Sequence, residues 1–134
     1  MKIVGLALFV AFAIACDKDD EKSNCERLEG SWQAESWVVN TEEILGAAAI
    51  YTAADIDFDG LTGQEGNYTQ NTTLLVGDPI NVIGTYIVNT DCDQVTLTPK
   101  DGFPIVFAFH FSDDKLILEN SFDGLDTTIR LKKE

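Results

Sequence analysis

The sequence predicts an all-β domain, an eight-stranded antiparallel up-and-down barrel with one short helix between its first and second strands. Three observations carry the prediction. From Leu28 onward, apolar and polar residues alternate in eight short runs, the period that turns one face of a strand to a core and the other to water. The last five runs follow one another through links of two to five residues such as Asn89-Thr90-Asp91-Cys92-Asp93 and Ser112-Asp113-Asp114. Such links suit hairpins and leave no room for crossover helices. The chain has 134 residues, of which 45% are apolar, enough for one modest core.

In chain order, Lys2 precedes an uncharged run over 3–15. At ~1.5 Å per helical residue this run reaches about 20 Å, short of the ~30 Å hydrocarbon core of a bilayer. Residues 1–15 therefore read as an export signal rather than a membrane span. The run stops at Ala13-Ile14-Ala15-Cys16, which resembles a bacterial lipobox, with small residues for the peptidase and a thiol for the diacylglycerol. The resemblance implies that Cys16 is acylated and that N-terminal acyl chains hold the protein to a lipid bilayer. Residues 16–24 are then the acylated Cys and an acidic tether, too polar to bury anything, and 25–134 is the folded domain. Beyond the tether the domain keeps 19 acidic groups against 6 basic ones, so the acidity belongs to the folded surface.

The eight runs are 31–39, 54–59, 67–76, 82–88, 94–98, 104–111, 115–122 and 127–132. Joined by hairpins they make antiparallel neighbours, and a meander of eight hides its edges by closing. One stretch breaks the alternation, at 41–51. Asn40 or Thr41 can cap a helix there, Glu42 and Glu43 favour its positive end, and an Ala-rich middle supports it. This is the expected helix.

Composition excludes two classes of function. A formal charge of −14 repels a phosphate backbone, so nucleic acid is not a partner. Three Cys and one His fit no zinc-site spacing.

Leu28-Glu29-Gly30-Ser31-Trp32 at the opening strand resembles the Gly-x-Trp start of the lipocalins and their calycin relatives, and Ile129-Arg130-Leu131 places an Arg on the closing strand. With the lipobox, the acidic tether and a Leu-rich end, the chain is similar to small lipocalin-like lipoproteins of Bacteroidota. The resemblance implies that Trp32 packs at the closed end of the barrel beneath Arg130, a cation–π contact joining first and last strands. It also implies a monomer on the outer membrane, at its periplasmic face or at the cell surface, where the acidic residues behind Cys16 resemble a surface-export tag.

Counting strand directions places Cys25 and Cys92 at the same end of the barrel. With Cys16 acylated they are the two remaining thiols of an exported chain, and a disulfide between them is expected. Asp55-Ile56-Asp57-Phe58-Asp59-Gly60 reproduces the first half of a calcium loop, but the twelfth position is Gly66 with Glu65 one place early. A strand accounts for the same residues, with Asp55, Asp57 and Asp59 facing water, and no metal is expected. His110 has no second His, no Cys and no Gly-x-Ser-x-Gly elbow beside it. Adjacent Glu42 and Glu43 point apart on a helix. A non-catalytic protein without a cofactor follows. Phe107, Phe109 and Phe111, with Phe58, Tyr68 and Tyr86 on neighbouring strands, either line a pocket for a small apolar or amphipathic ligand or fill a solid barrel whose acidic surface meets a partner. In the first case the helix, through Ile44, Leu45, Ile50 and Tyr51, lies over the mouth as a lid.

Overall fold

The structure is a computed structural model that describes residues 23–46 and 49–134. The expected export signal at 1–15, Cys16 and tether residues 17–22 lie outside them. The described chain starts with Ser23, which caps helix α1, Asn24–Leu28. Ser23 and Glu26 form a reciprocal capping box: the Glu26 N–H donates to Ser23 Oγ (3.2 Å) and the Ser23 N–H donates to Glu26 Oε1 (3.1 Å). A five-residue helix gains little from propensity. Its place is fixed by burying Cys25 and Leu28.

The strands are β1 Gly30–Val39, β2 Glu42–Glu43, β3 Tyr51–Thr62, β4 Glu65–Leu74, β5 Ile80–Val88, β6 Gln94–Pro99, β7 Ile105–Ser112, β8 Lys115–Phe122 and β9 Leu125–Lys133. All are antiparallel neighbours in the order β2-β1-β3-β4-β5-β6-β7-β8-β9, and β1 also pairs with β9. That last pairing closes an eight-stranded up-and-down barrel, with β2 as a short arm on β1. Each predicted run lies largely within a strand. Among the described residues no helix is long and apolar enough to cross a membrane.

The expected helix over 41–51 is not there; the helix of this fold precedes the first strand. Asn40 (φ 50°) and Thr41 (φ 76°) both lie in the left-handed region and make a two-residue hairpin turn, with Val39 opposite Glu42 and Val38 opposite Glu43. The Glu43 carboxylate decides this geometry. Its Oε2 accepts the N–H of Trp37 (2.7 Å) and of Leu45 (3.3 Å), and its Oε1 accepts the Ser36 hydroxyl (2.7 Å). Partial burial pushes this carboxyl up, but the three donors outweigh it and hold the group below its ordinary range. A short Ala-rich helix would forgo all three bonds. β1 and β3 pair only at residues 30–33 of β1, and the segment after β2 fills the wedge above: the Ile44 N–H donates to Trp37 O (2.8 Å) and the Tyr51 N–H to Ile44 O (3.1 Å).

The barrel has two unlike ends. At one, called closed here, α1 lies beside the short connections after β3, β5 and β7. At the other, open, are the connections after β2, β4, β6 and β8. Inward side chains grow toward the closed end: β3 carries Ala54, Ile56 and Phe58 in that order. The closed half is packed by Leu28, Trp32, Phe58, Tyr86, Val88, Val95, Phe109 and Leu116, all buried. Phe58 and Tyr86 meet edge to face at 5.0 Å, and Tyr86 lies over Gly66, where a Cβ would sit 2.5 Å from its Cε1. Burial first, then the nearby Glu29 and Asp59 carboxylates, push the Tyr86 phenol up to about 12.

Cys25 and Cys92 form a disulfide, Cα to Cα 5.0 Å, that ties α1 to the β5–β6 connection. The expected contact of Trp32 with Arg130 does not form. Trp32 is opposite Lys133 on β9, and strand alternation turns Ile129 and Leu131 inward and Arg130 out to solvent. Lys133 takes the place instead, with its Nζ 4.5 Å from the centroid of Trp32 and donating to Glu29 O at 2.7 Å. Gly30 (φ +132°) leaves it room, since a Cβ there would collide with Lys133 Nζ. A second cation, Arg27, lies 4.1 Å over Phe111.

Candidate functional site

The open half of the barrel is hollow. Its inward positions are small or thin where the closed half carries rings: Ala34 on β1, Ala54 on β3, Val82 on β5 and Pro99 on β6. They leave a cavity of about 230 Å³, bounded also by Trp37, Ile56, Tyr68, Gln70, Leu97, Ile105, Phe107, Leu118, Ile129 and Leu131. A barrel of this size is just wide enough to be filled or to hold one small ligand, and this one does each in a different half.

The six aromatics expected around a pocket therefore divide. Tyr68 and Phe107 line the cavity. Phe58, Tyr86 and Phe109 are buried in the closed-end core, and Phe111 packs against it, 5.9 Å from Trp32 and 6.1 Å from Phe109. One register on β7 serves both ends, because the strand runs from cavity wall to floor.

Trp37 is the lining residue that simple alternation hides. Between Ala34 and Ser36 the pairing of β1 with β9 shifts by one residue, a bulge at Glu35. Without it Ser36 would point inward and Trp37 outward; with it Trp37, opposite Ile129, joins Ala34 on the inner face. The Trp37 ring stacks on Tyr51 at 4.9 Å. Glu35 itself faces out to a 2.7 Å ion pair with Lys115, and that bond lowers its pKa.

Of the four side chains expected in a lid, Tyr51 stacks on Trp37, Leu45 is buried and forms a bridge with Tyr51, Ile44 is held through its backbone, and Ile50 is 64% exposed. These four residues edge the open end outside any helix. Other connections at this end also present bare apolar side chains, with Val76 84%, Phe103 88% and Phe122 75% exposed.

Polar groups in the cavity wall are few. On β4 the inward series is Gly66, Tyr68, Gln70 and Thr72. Thr72 is a buried polar residue, and Gln70 Nε2 reaches its Oγ1 at 3.4 Å, a long contact that leaves most of the amide's capacity unused. Burial raises the Tyr68 phenol, which stays neutral at physiological pH. Asp55 is the one charged residue among those bordering the cavity, and its carboxylate accepts the Asn71 amide at 3.0 Å on the outer face. Asp55, Asp57 and Asp59 alternate with the buried Ala54, Ile56 and Phe58 along a continuous strand, and among the described residues no His, Cys, Asp or Glu cluster could hold a metal. His110 is exposed on β7 opposite Ile117.

A family model, described as a lipocalin-like domain, matches residues 28–118. No curated protein matches the chain. Among solved structures, a redesigned β barrel is similar with a TM-score of 0.62 at 15% identity, covering 84% of this chain and 99% of its own. The redesigned barrel mFAP1, bound to DFHBI, gives a TM-score of 0.57 at 18% identity over 84% of this chain and 100% of its own. As-p18, an extracellular fatty acid binding protein, gives 0.51 at 11% identity over 84% and 100%. At these identities the likeness is one of fold.

Proposed function

The chain belongs to the lipocalin-like domain family, and from that premise we propose that it is a non-catalytic binding protein that holds one small apolar or amphipathic molecule in the open half of its barrel. The observation that carries this reading is the 230 Å³ cavity bordered by Trp37, Tyr68 and Phe107 above a solid floor. Two of the similar barrels are described as bound to, or binding, a small molecule, which supports the reading by analogy. The test is uptake of the neutral two-ring naphthalene dye prodan by the purified protein. Emission should rise on mixing, and Ala54→Phe, which fills the cavity, should weaken uptake by at least about tenfold while circular dichroism stays β-rich. If the unaltered protein takes up no apolar probe, the reading fails in favour of an interaction protein that works through its acidic surface.

We further propose that the protein is anchored at the outer membrane through acyl chains on Cys16, a reading supported by the lipobox-like Ala13-Ile14-Ala15-Cys16 and the acidic residues behind it. Ser23 enters α1 at the closed end, opposite the mouth of the cavity. Cys16→Ala should move the protein from the membrane fraction to the soluble fraction and abolish fatty-acid labelling; unchanged labelling would refute the anchor. Protease shaving of intact cells separates the cell surface from the periplasmic face.

A further inference from the structure

The cavity's chemistry narrows its ligand beyond "small and apolar". Its wall offers three aromatic rings, Trp37, Tyr68 and Phe107. It offers no cation. The one charged neighbour, Asp55, is turned outward to Asn71, and the chain as a whole carries −14. A carboxylate brought into this wall would lose water and find no partner, a cost of several kcal/mol, after crossing a repulsive field. A ligand ammonium fares little better, since the Asp55 carboxylate it would need is already used on the other face of the strand.

Size and shape bear on the same question. An engineered apolar cavity of roughly 150 Å³ takes one benzene, so 230 Å³ has room for a second fused ring. Flat aromatic surfaces suit rings better than a coiled alkyl chain. Gln70 is the wall's open polar handle: it lies between Tyr68 and Thr72 on the inner face of β4, and its 3.4 Å contact to Thr72 is easily exchanged. Its amide can both donate and accept.

We infer that the cavity selects an uncharged, flat ligand of about two fused rings whose single hydroxyl or carbonyl group is bound by Gln70, and that it rejects carboxylates, fatty acids included. This rests on the binding reading above. The experiment is a calorimetric series on the purified protein with naphthol, naphthalene, naphthoate, naphthylmethylammonium and laurate. Naphthol should bind tightest, naphthoate and laurate at least about a hundredfold more weakly. Gln70→Leu should weaken naphthol about tenfold while leaving naphthalene unchanged or tighter. Naphthoate, laurate or the ammonium binding as well as naphthol would overturn the ligand class while leaving the binding function in place. Equal loss of naphthol and naphthalene in Gln70→Leu would overturn the role of the amide. Failure of all five, together with failure to take up prodan, would remove the binding function itself.

Discussion

Trp32→Ala is expected to cost about 4 kcal/mol of folding stability, the range for deleting a large ring from a core that cannot collapse around the hole. Burial and three contacts are lost at once. The ring is 3% exposed, lies 5.9 Å from Phe111, carries Lys133 at 4.5 Å and donates its Nε1–H to Leu28 O at 2.8 Å. The last leaves a buried carbonyl without its donor, itself a cost of about 1 to 3 kcal/mol. Against a total stability of roughly 5 to 15 kcal/mol the variant is marginal. Two companions sharpen the test. Lys133→Ala should cost about 1 kcal/mol through the solvent-exposed cation–π contact and the bond to Glu29 O, whereas Arg130→Ala, on the outer face, should stay within about 0.5 kcal/mol. Urea unfolding followed by circular dichroism measures all three. A larger loss for Arg130 than for Lys133 would overturn the registry of β9 described here.

Replacing Cys25 and Cys92 together by Ala is expected to cost about 4 kcal/mol, from the chain entropy returned to the unfolded state by opening a loop of this length. The two positions are 67 residues apart in sequence, so the bond spans more than half the domain. Urea unfolding with and without reductant measures the loss, and peptide mapping without reduction should recover the two segments joined. Because the bond lies at the closed end, probe uptake by the surviving folded fraction should be unchanged. A reduced protein as stable as the oxidised one would show that the bond adds nothing, and lost uptake without lost stability would contradict the separation of the two ends.

The eight strands were legible because each is long enough to repeat its alternation and the links joining the last five are too short for anything but hairpins. What escaped the sequence is what depends on a single shifted residue or on a partner far along the chain. One extra residue at Glu35 reverses the facing of Trp37, and alternation read from Trp32 onward assigns it to solvent. Arg130 and Lys133 differ in facing, so the cation over Trp32 could be chosen only once the pairing of β1 with β9 was known. The stretch after Thr41 reads as helical on local propensity, yet the Glu43 carboxylate finds three donors in the hairpin and none of these is visible in composition. Ser23 and Glu26 did carry a capping signature, masked by the polar run that precedes them. The cavity was half legible: the stripe of Phe107, Phe109 and Phe111 marks an inward face but not where along it the barrel stops being solid. That boundary is set by Ala34 and Ala54 on the strands opposite.

The pairing of β1 with β9 also fixes the order in which the chain can fold. Every other strand pairing joins neighbours in sequence or, for β1 with β3, strands separated only by the short arm β2, and these come together with little loop entropy to overcome. Closure is different, because Trp32 on β1 must wait for Lys133 on β9. Until that last strand has been made and delivered, the meander is an open sheet with two unpaired edges at β1 and β8, each a template for another chain. The molecule is therefore most vulnerable to aggregation until β9 docks on β1, and a chain cut short within β9 would be held in that state.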